Sequence, residues 1–232
     1  MMTLRRSTER GYAQHGWLES WHSFSFAEYH DPAHTHFASL RVINEDIVQP
    51  GAGFGMHPHR DMEILTYILD GALRHQDSMG NSEQLRAGEV QVMSAGTGVT
   101  HSEVNASNSQ AVHLLQIWIM PARHNLLPGY QQKLFNDTEK RGRWCLLAAP
   151  DQTDGSLLIH QDVRVYAALL DNREALSYQI QPGRKIYLHA ARGKLSVNGQ
   201  VLDAGDALMV SDATQLNLES GVNAEILLFD LA

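Results

Sequence analysis

Two short pairs, His57-x-His59 and His101-x-Glu103, are the residues of this sequence best spaced to do chemistry. On an extended strand, residues two apart project from one face, whereas on a helix they diverge by about 200°. Each pair therefore reads as two side chains delivered together from a strand. Three imidazoles and a carboxylate suit one divalent transition metal per chain (iron, copper, manganese, nickel, cobalt or zinc) and leave coordination positions for water or substrate. The four ligands bring a single negative charge to a doubly charged cation. The remaining positive charge would lower the pKa of a bound phenol or enol, and a carboxylate beside the metal would serve as general base towards that hydroxyl. The chain is thus a candidate metalloenzyme.

Such pairs need strands to carry them. Short apolar runs bounded by Gly, Asn, Asp and Pro dominate, as in Ile64 to Leu69, Val112 to Met120 and Glu225 to Leu231. Runs of this length and composition read as strands, and their close spacing predicts an all-β fold of the sandwich or jelly-roll type. Residues 121 to 140, with Pro128-Gly129, read as a connecting arm, and residues 8 to 16 as a polar, turn-like stretch.

An internal repeat sharpens the architecture. Gly71-Ala72-Leu73, Asn81 and Leu85 to Glu89 recur as Gly193-Lys194-Leu195, Asn198 and Leu202 to Asp206, each copy running on into an apolar strand. Two related β-domains follow, 1–125 and 126–232. Aligning Gly71 with Gly193 carries His57 and His59 onto Gln179 and Gln181, and aligning Gly88 with Gly205 carries His101 and Glu103 onto Leu218 and Ser220. The second copy therefore lacks the ligands, and the first domain alone is expected to hold metal.

Composition narrows the partners. A net charge of -8 over 232 residues offers no cationic excess for a phosphate backbone, so direct nucleic-acid binding is not expected. The single cysteine, Cys145, reads as a buried apolar filler and fits a reducing compartment. Neither a secretory leader nor an apolar run of about 20 residues is visible, so no membrane span is expected and the expected location is cytoplasmic.

The spacing of Gly51, His57, His59 and Glu63 follows the first motif of the cupins, with Gly71 one residue late. Gly88, Gly96 and Asn105 follow the second, with Ser94 replacing a proline and His101 two residues late. Those departures coincide with a narrower family. The chain resembles the pirins, bicupin proteins, through the stretch from His15 to Pro32, Leu40 to Asn44, Gly55 to Glu63 and Met93 to Glu103, and is especially similar to bacterial pirin-like proteins with quercetin 2,3-dioxygenase activity. The resemblance implies two tandem cupin domains and metal ligation by His57, His59, His101 and Glu103, with Glu103 rather than Glu63 as the carboxylate. It also implies a flavonol-like substrate opened by O2 to a depside and carbon monoxide, with Glu103 as the catalytic base. A metal-responsive regulatory pirin that binds a protein partner is the alternative it permits.

The remaining candidates have plainer readings. Glu63 shares the parity of His57 and His59, but a register shift near Pro58 would give it a structural task, the reading adopted here. Asn105 is assigned to a strand-end hydrogen bond, and Gly96 and Gly98 to the turn delivering His101. Trp17, Trp21, Phe24, Phe26, Phe54, Met56, Trp118 and Met120 are expected in the core. The ten other histidines, His15, His22, His75 and His160 among them, are expected to be surface or hydrogen-bonded structural residues.

Overall fold

Buried positions alternate with the small residues Thr100, Ser102 and Val104 over residues 99–105. The computed structural model, which describes all 232 residues, has a strand there, Val99–Asn105. Val99, His101, Glu103 and Asn105 are buried and the residues between them are half-buried, the period-two signature of a strand with one face on a core. The whole chain is built this way: the sole α-helix is the single turn Asp137–Lys140.

Two compact units result, one of Arg10–Leu134 with Leu157–Gln161, the other of Met1–Glu9, Phe135–Ser156 and Asp162–Ala232. Relative to the division expected at residues 125 and 126, three short segments change sides. Met1–Glu9 joins the C-terminal unit, while residues 126–134 and Leu157–Gln161 join the N-terminal one.

The N-terminal unit has two antiparallel sheets. One runs Gly53–His59, Val99–Asn105, Ala72–Asp77, Ser82–Arg86. The other runs Gly129–Leu134, Glu89–Ser94, Glu63–Asp70, Val112–Ile119, Leu40–Val48, Leu18–His22, Gly11–Gln14. Leu73 and Leu85 from the first sheet pack with Leu18, Val48, Ile68, Val112 and Leu114 from the second. Each such side chain, fully buried, contributes about 1.5–3 kcal/mol, so this cluster holds one end of the sandwich shut. Two strands of the larger sheet lie where the sequence suggested none. The expected arm contains Gly129–Leu134, paired with Glu89–Ser94, and the polar stretch contains Gly11–Gln14, paired with Leu18–His22. Both are edge strands, which bury little and so carry no apolar run.

In the C-terminal unit the strand order is Met2–Arg5, Ala207–Val210, Lys185–Val197, Gln215–Leu231, Val163–Leu170, Cys145–Ala149. Asp206 fastens the N-terminus to it, accepting 2.7 Å bonds from Ser7 N and Arg6 Nη1. Cys145 is half-buried rather than buried.

The repeat is visible in the ladders. Leu73 pairs with Leu85, and Leu195 with Leu202. Gly71 and Gly193 both have positive φ, and a Cβ would stand 2.8 Å from Ala111 O at the first and 2.2 Å from Asn223 O at the second. The ladders correct the residue count, however. Glu103 pairs with His75, two residues beyond Leu73, whereas Val197, two beyond Leu195, pairs with Leu218. Leu218 therefore matches Glu103, and Leu216 matches His101. Register shifts along Lys185–Val197 and Gln215–Leu231 break the offset taken from Gly88 and Gly205. Both leucines are buried in an apolar cluster.

Candidate metal centre

The strand Gly53–His59 lies beside Val99–Asn105 with His57 opposite His101 and His59 opposite Val99. Between His101 and Glu103 the register slips, so that Glu103 faces Phe54. A bulge of this kind re-aims side chains. Gly53 permits it: a Cβ there would lie 2.3 Å from Glu103 O and 2.4 Å from Val104 Cα. Gly96 and Gly98, both at positive φ, form the turn that leads into the His101 strand. A Cβ on Gly96 would reach within 2.1 Å of Leu126 O.

Three imidazoles converge as a result. Ring centroids are 4.8 Å apart for His57 and His59, 4.4 Å for His57 and His101, and 4.8 Å for His59 and His101. One ligand atom from each lies within 4.8 Å of the others. His57 Nδ1 bonds Gly55 O at 2.7 Å, which fixes the ring and leaves Nε2 available to a ligand. Both ring nitrogens of His101 are buried without a hydrogen-bond partner. An orphaned imidazole costs about 1–3 kcal/mol per polar group. A cation is the partner that removes this cost, so the residues fit a metal. Burial lowers the pKa of His59 to about 4, with His57 adding to the effect. Burial, then the neighbouring histidines His57, His59 and His75, lowers that of His101 to about 3. Both rings are neutral at pH 7, as metal ligation requires.

Glu103 lies outside that group and joins His101 in a second one. Its carboxylate lies within 4.8 Å of ligand atoms of His101 and His75, so two triads share His101. Thr66 Oγ1 stands 3.1 Å from Glu103 Oε1, and Gln116 Nε2 donates to Oε2 at 2.6 Å. Burial raises the Glu103 pKa, opposed by His75 and by hydrogen bonds from Thr66, Gln116 and Gln91. His75, expected to be a plain structural residue, stacks on Tyr130 at 4.7 Å and bonds Asp77 Oδ2 through Nε2 at 3.0 Å. The overlooked signal was a third pair of like parity, His75-x-Asp77, on the strand beside Glu103.

Glu63 takes no part in either group. After His59 the chain turns sharply at Asp61, φ 48°, and crosses to the other sheet, so the parity of residues 57, 59 and 63 does not carry through. Its carboxylate accepts from Ser94 Oγ at 2.9 Å and from the His160 backbone N–H at 3.1 Å. Asn105 likewise is structural: Nδ2 donates to Val48 O and Gln110 O.

A cavity of about 830 Å³ opens beside the histidines, with His57, His59, Glu103, Phe54, Trp17, Phe26, Trp118, Gln116 and His15 among its lining residues. Trp118 meets His59 edge-on at 4.9 Å and Phe26 at 5.4 Å. The core assignment holds for Phe24, whereas Trp17, Phe26, Phe54 and Trp118 line the cavity and Met56 is exposed. Aromatic walls with a few convergent polar groups suit a planar, partly polar ligand.

Comparison with known proteins gives the same frame. The family model described as Pirin matches residues 3–119, and that of the quercetinase C-terminal cupin domain matches residues 146–231. Quercetin 2,3-dioxygenase of Escherichia coli K12 is 47% identical over 231 residues, covering 100% of this chain and 99% of the relative. A pirin-like protein of Caulobacter vibrioides is 40% identical, covering 96% of each. Among solved structures, the bacterial pirin YhhW of E. coli in complex with nickel(II) superposes with a TM-score of 0.95 at 46% identity, covering 100% of this chain and 99% of that one. Quercetin 2,3-dioxygenase of Acinetobacter baumannii shares the fold at a TM-score of 0.79 and 18% identity, covering 99% of this chain and 78% of that one. The architecture is that of a bicupin. No helix is long and apolar enough to cross a membrane.

Proposed function

The chain belongs to the pirin family, and from that premise we propose that it is a metal-dependent dioxygenase that opens a flavonol with O2 to a depside and carbon monoxide. One divalent transition metal would be held by His57, His59, His101 and Glu103. The observation that carries this reading is the three-imidazole cluster, with His101 left unpartnered, at the wall of an aromatic-lined cavity. Nickel(II) is the first metal to try, because the E. coli pirin of known structure carries it.

A divalent ion bound there supplies positive charge that acidifies a neighbouring phenolic or enolic hydroxyl. The protein's own contribution is proton management, orientation and exclusion of water. Glu103, its pKa raised by burial, accepts the hydroxyl proton, and Thr66 and Gln116 hold the carboxylate on its bearing throughout. Trp118, Phe26 and Phe54 fix the plane of the ligand, so that the reacting ring meets the histidine end of the cavity in one orientation. The buried floor keeps bulk water from the activated ring.

The test is aerobic turnover of quercetin by metal-reconstituted protein, read as loss of flavonol absorbance together with carbon monoxide release. Turnover is expected with at least one of nickel, cobalt, manganese, iron or copper, and its abolition in His57→Ala. No turnover with any of them, or undiminished turnover in that variant, would overturn the reading.

A further inference from the structure

The inner face of the larger sheet carries polar groups that the proposed chemistry leaves unused. Ser20 and His22 on Leu18–His22 stand directly opposite Asp46 and Asn44 on Leu40–Val48. All four are buried, and all four line the cavity. Ser20 Oγ donates to Asp46 Oδ1 and lies 3.4 Å from His22 Nδ1. His22 Nδ1 in turn bonds Asn44 Oδ1 at 2.9 Å. These contacts leave His22 Nε2, Asn44 Nδ2 and Asp46 Oδ2 with no partner in the protein, and none of the three is among its fully sealed orphan atoms. Polar groups this deep are almost always bonded. Three facing one cavity describe a binding surface for a ligand that both donates and accepts hydrogen bonds.

The sheet register sets the distance from this surface to the histidines. His22, Asn44, Gln116 and Thr66 stand opposite one another on four adjacent strands. With strands about 4.8 Å apart, His22 is roughly 10 Å from Gln116, the residue that holds Glu103. Phe26 lies 5.4 Å from the ring of His22, at one end of the row, and 5.4 Å from that of Trp118, two residues along the strand from Gln116. A slot with an aromatic wall and a polar group at each end matches a long planar molecule that is hydroxylated at both ends.

We propose that Ser20, His22, Asn44 and Asp46 form a second polar subsite that receives the hydroxyl groups of the substrate's outer aromatic ring while the reacting ring meets the histidine cluster. This rests on the flavonol reading given above and adds a selection rule to it. A ligand bare at its outer ring leaves three buried polar atoms unpaired, whereas one with adjacent hydroxyls satisfies them. Burial raises the Asp46 carboxyl to about 7, so near neutral pH it can act as either donor or acceptor. A site built to bond a substrate hydroxyl rejects the analogue lacking it, by about tenfold for one ordinary hydrogen bond and by more where several are lost.

The experiment titrates metal-loaded protein, without oxygen, with three flavonols that carry two, one or no hydroxyl on the outer ring. Affinities are read from protein fluorescence and calorimetry. Wild type is expected to prefer the dihydroxylated over the unsubstituted ligand by about tenfold or more. Asn44→Leu and His22→Phe should each bring that ratio towards one; thermal melts check folding, and the His22 variant decides if the leucine variant does not fold. Binding of flavonols with no preference in wild type, or with a preference unchanged in the folded variants, overturns the subsite and leaves the dioxygenase reading intact. Failure of all three flavonols to bind wild type overturns the flavonol reading, and the subsite with it.

Discussion

Replacing His101 with leucine tests the metal centre through the sign of a stability change. In the metal-free protein both ring nitrogens of His101 are buried and unpartnered. A neutral imidazole has one donor and one acceptor, and each, left unmade, costs about 1–3 kcal/mol. Leucine fills much of the same space with no polar atom, so the substitution removes roughly 2–6 kcal/mol of that cost. Imperfect fit against the neighbouring rings gives back about 1–3 kcal/mol. Taking the middle of each range, the metal-free variant should therefore be more stable than wild type by about 2 kcal/mol. Metal reverses the order. At a hundred times its Kd, a bound ion stabilises wild type by about 2.7 kcal/mol, a rise of roughly 5–10 °C in Tm for a chain of this size, and the variant should show almost none of it. Urea denaturation and thermal melts, each with chelator and with metal, read both quantities. A metal-free variant less stable than wild type by more than about 2 kcal/mol, or one that keeps the metal-induced rise in Tm, would refute the argument that His101 is buried for a cation.

Removing a charge at the metal should have a different signature: Glu103→Gln is expected to weaken metal affinity about 10–100-fold in a chelator competition, and an unchanged Kd would take Glu103 out of the ligand set. Gly53→Ala forces a Cβ into the backbone of Glu103 and Val104, so it should cost about 1–3 kcal/mol of stability and loosen metal binding as the His57 strand is displaced; a fully stable variant with normal metal content counts against the close approach. The Asp46 carboxyl supplies a pH test. Burial first, then Glu103 and Glu45, raises it to about 7, opposed by Ser20 and His113. Its folded value exceeds its unfolded one, so the fold favours the protonated form. Stability is full below the unfolded value of 3.8 and falls as pH rises to about 7, by at most ~4 kcal/mol. Asp46→Asn should flatten that part of the stability curve of metal-free protein, and parallel curves for variant and wild type would sink the assignment.

The parity of His57 with His59, and of His101 with Glu103, was legible because a strand's period of two is a local property that sequence spacing reports directly. Glu63 has the structural role expected of it, because parity counts only while the strand runs on, and the chain turns at Asp61 into another sheet. Residue counting misled in the repeat. Aligning Gly88 with Gly205 put Leu218 in the place of His101, and register shifts between strands move it to that of Glu103. Counting cannot detect a bulge in a partner strand, since ladders are made between distant segments.

Aromatic residues mark a further boundary. Phe24 and Phe26 are alike in type and two residues apart, yet the first is core and the second faces the cavity. Composition gives both the same free energy of burial, and which one meets a ligand depends on what the other sheet sets opposite it. By itself the sequence determined the strand-rich class, the two-copy organisation and the first copy as the home of the candidate ligand pairs, because each follows from side-chain identity and short-range period. Tertiary structure decided that His75 joins the cluster, that Thr66 and Gln116 hold Glu103, that Met1–Glu9 belongs with the C-terminal unit, and that Ser20, His22, Asn44 and Asp46 share the cavity with the histidines. Those facts depend on which strands become neighbours and in what register, and pairing between segments far apart in the chain leaves no periodic trace in either one.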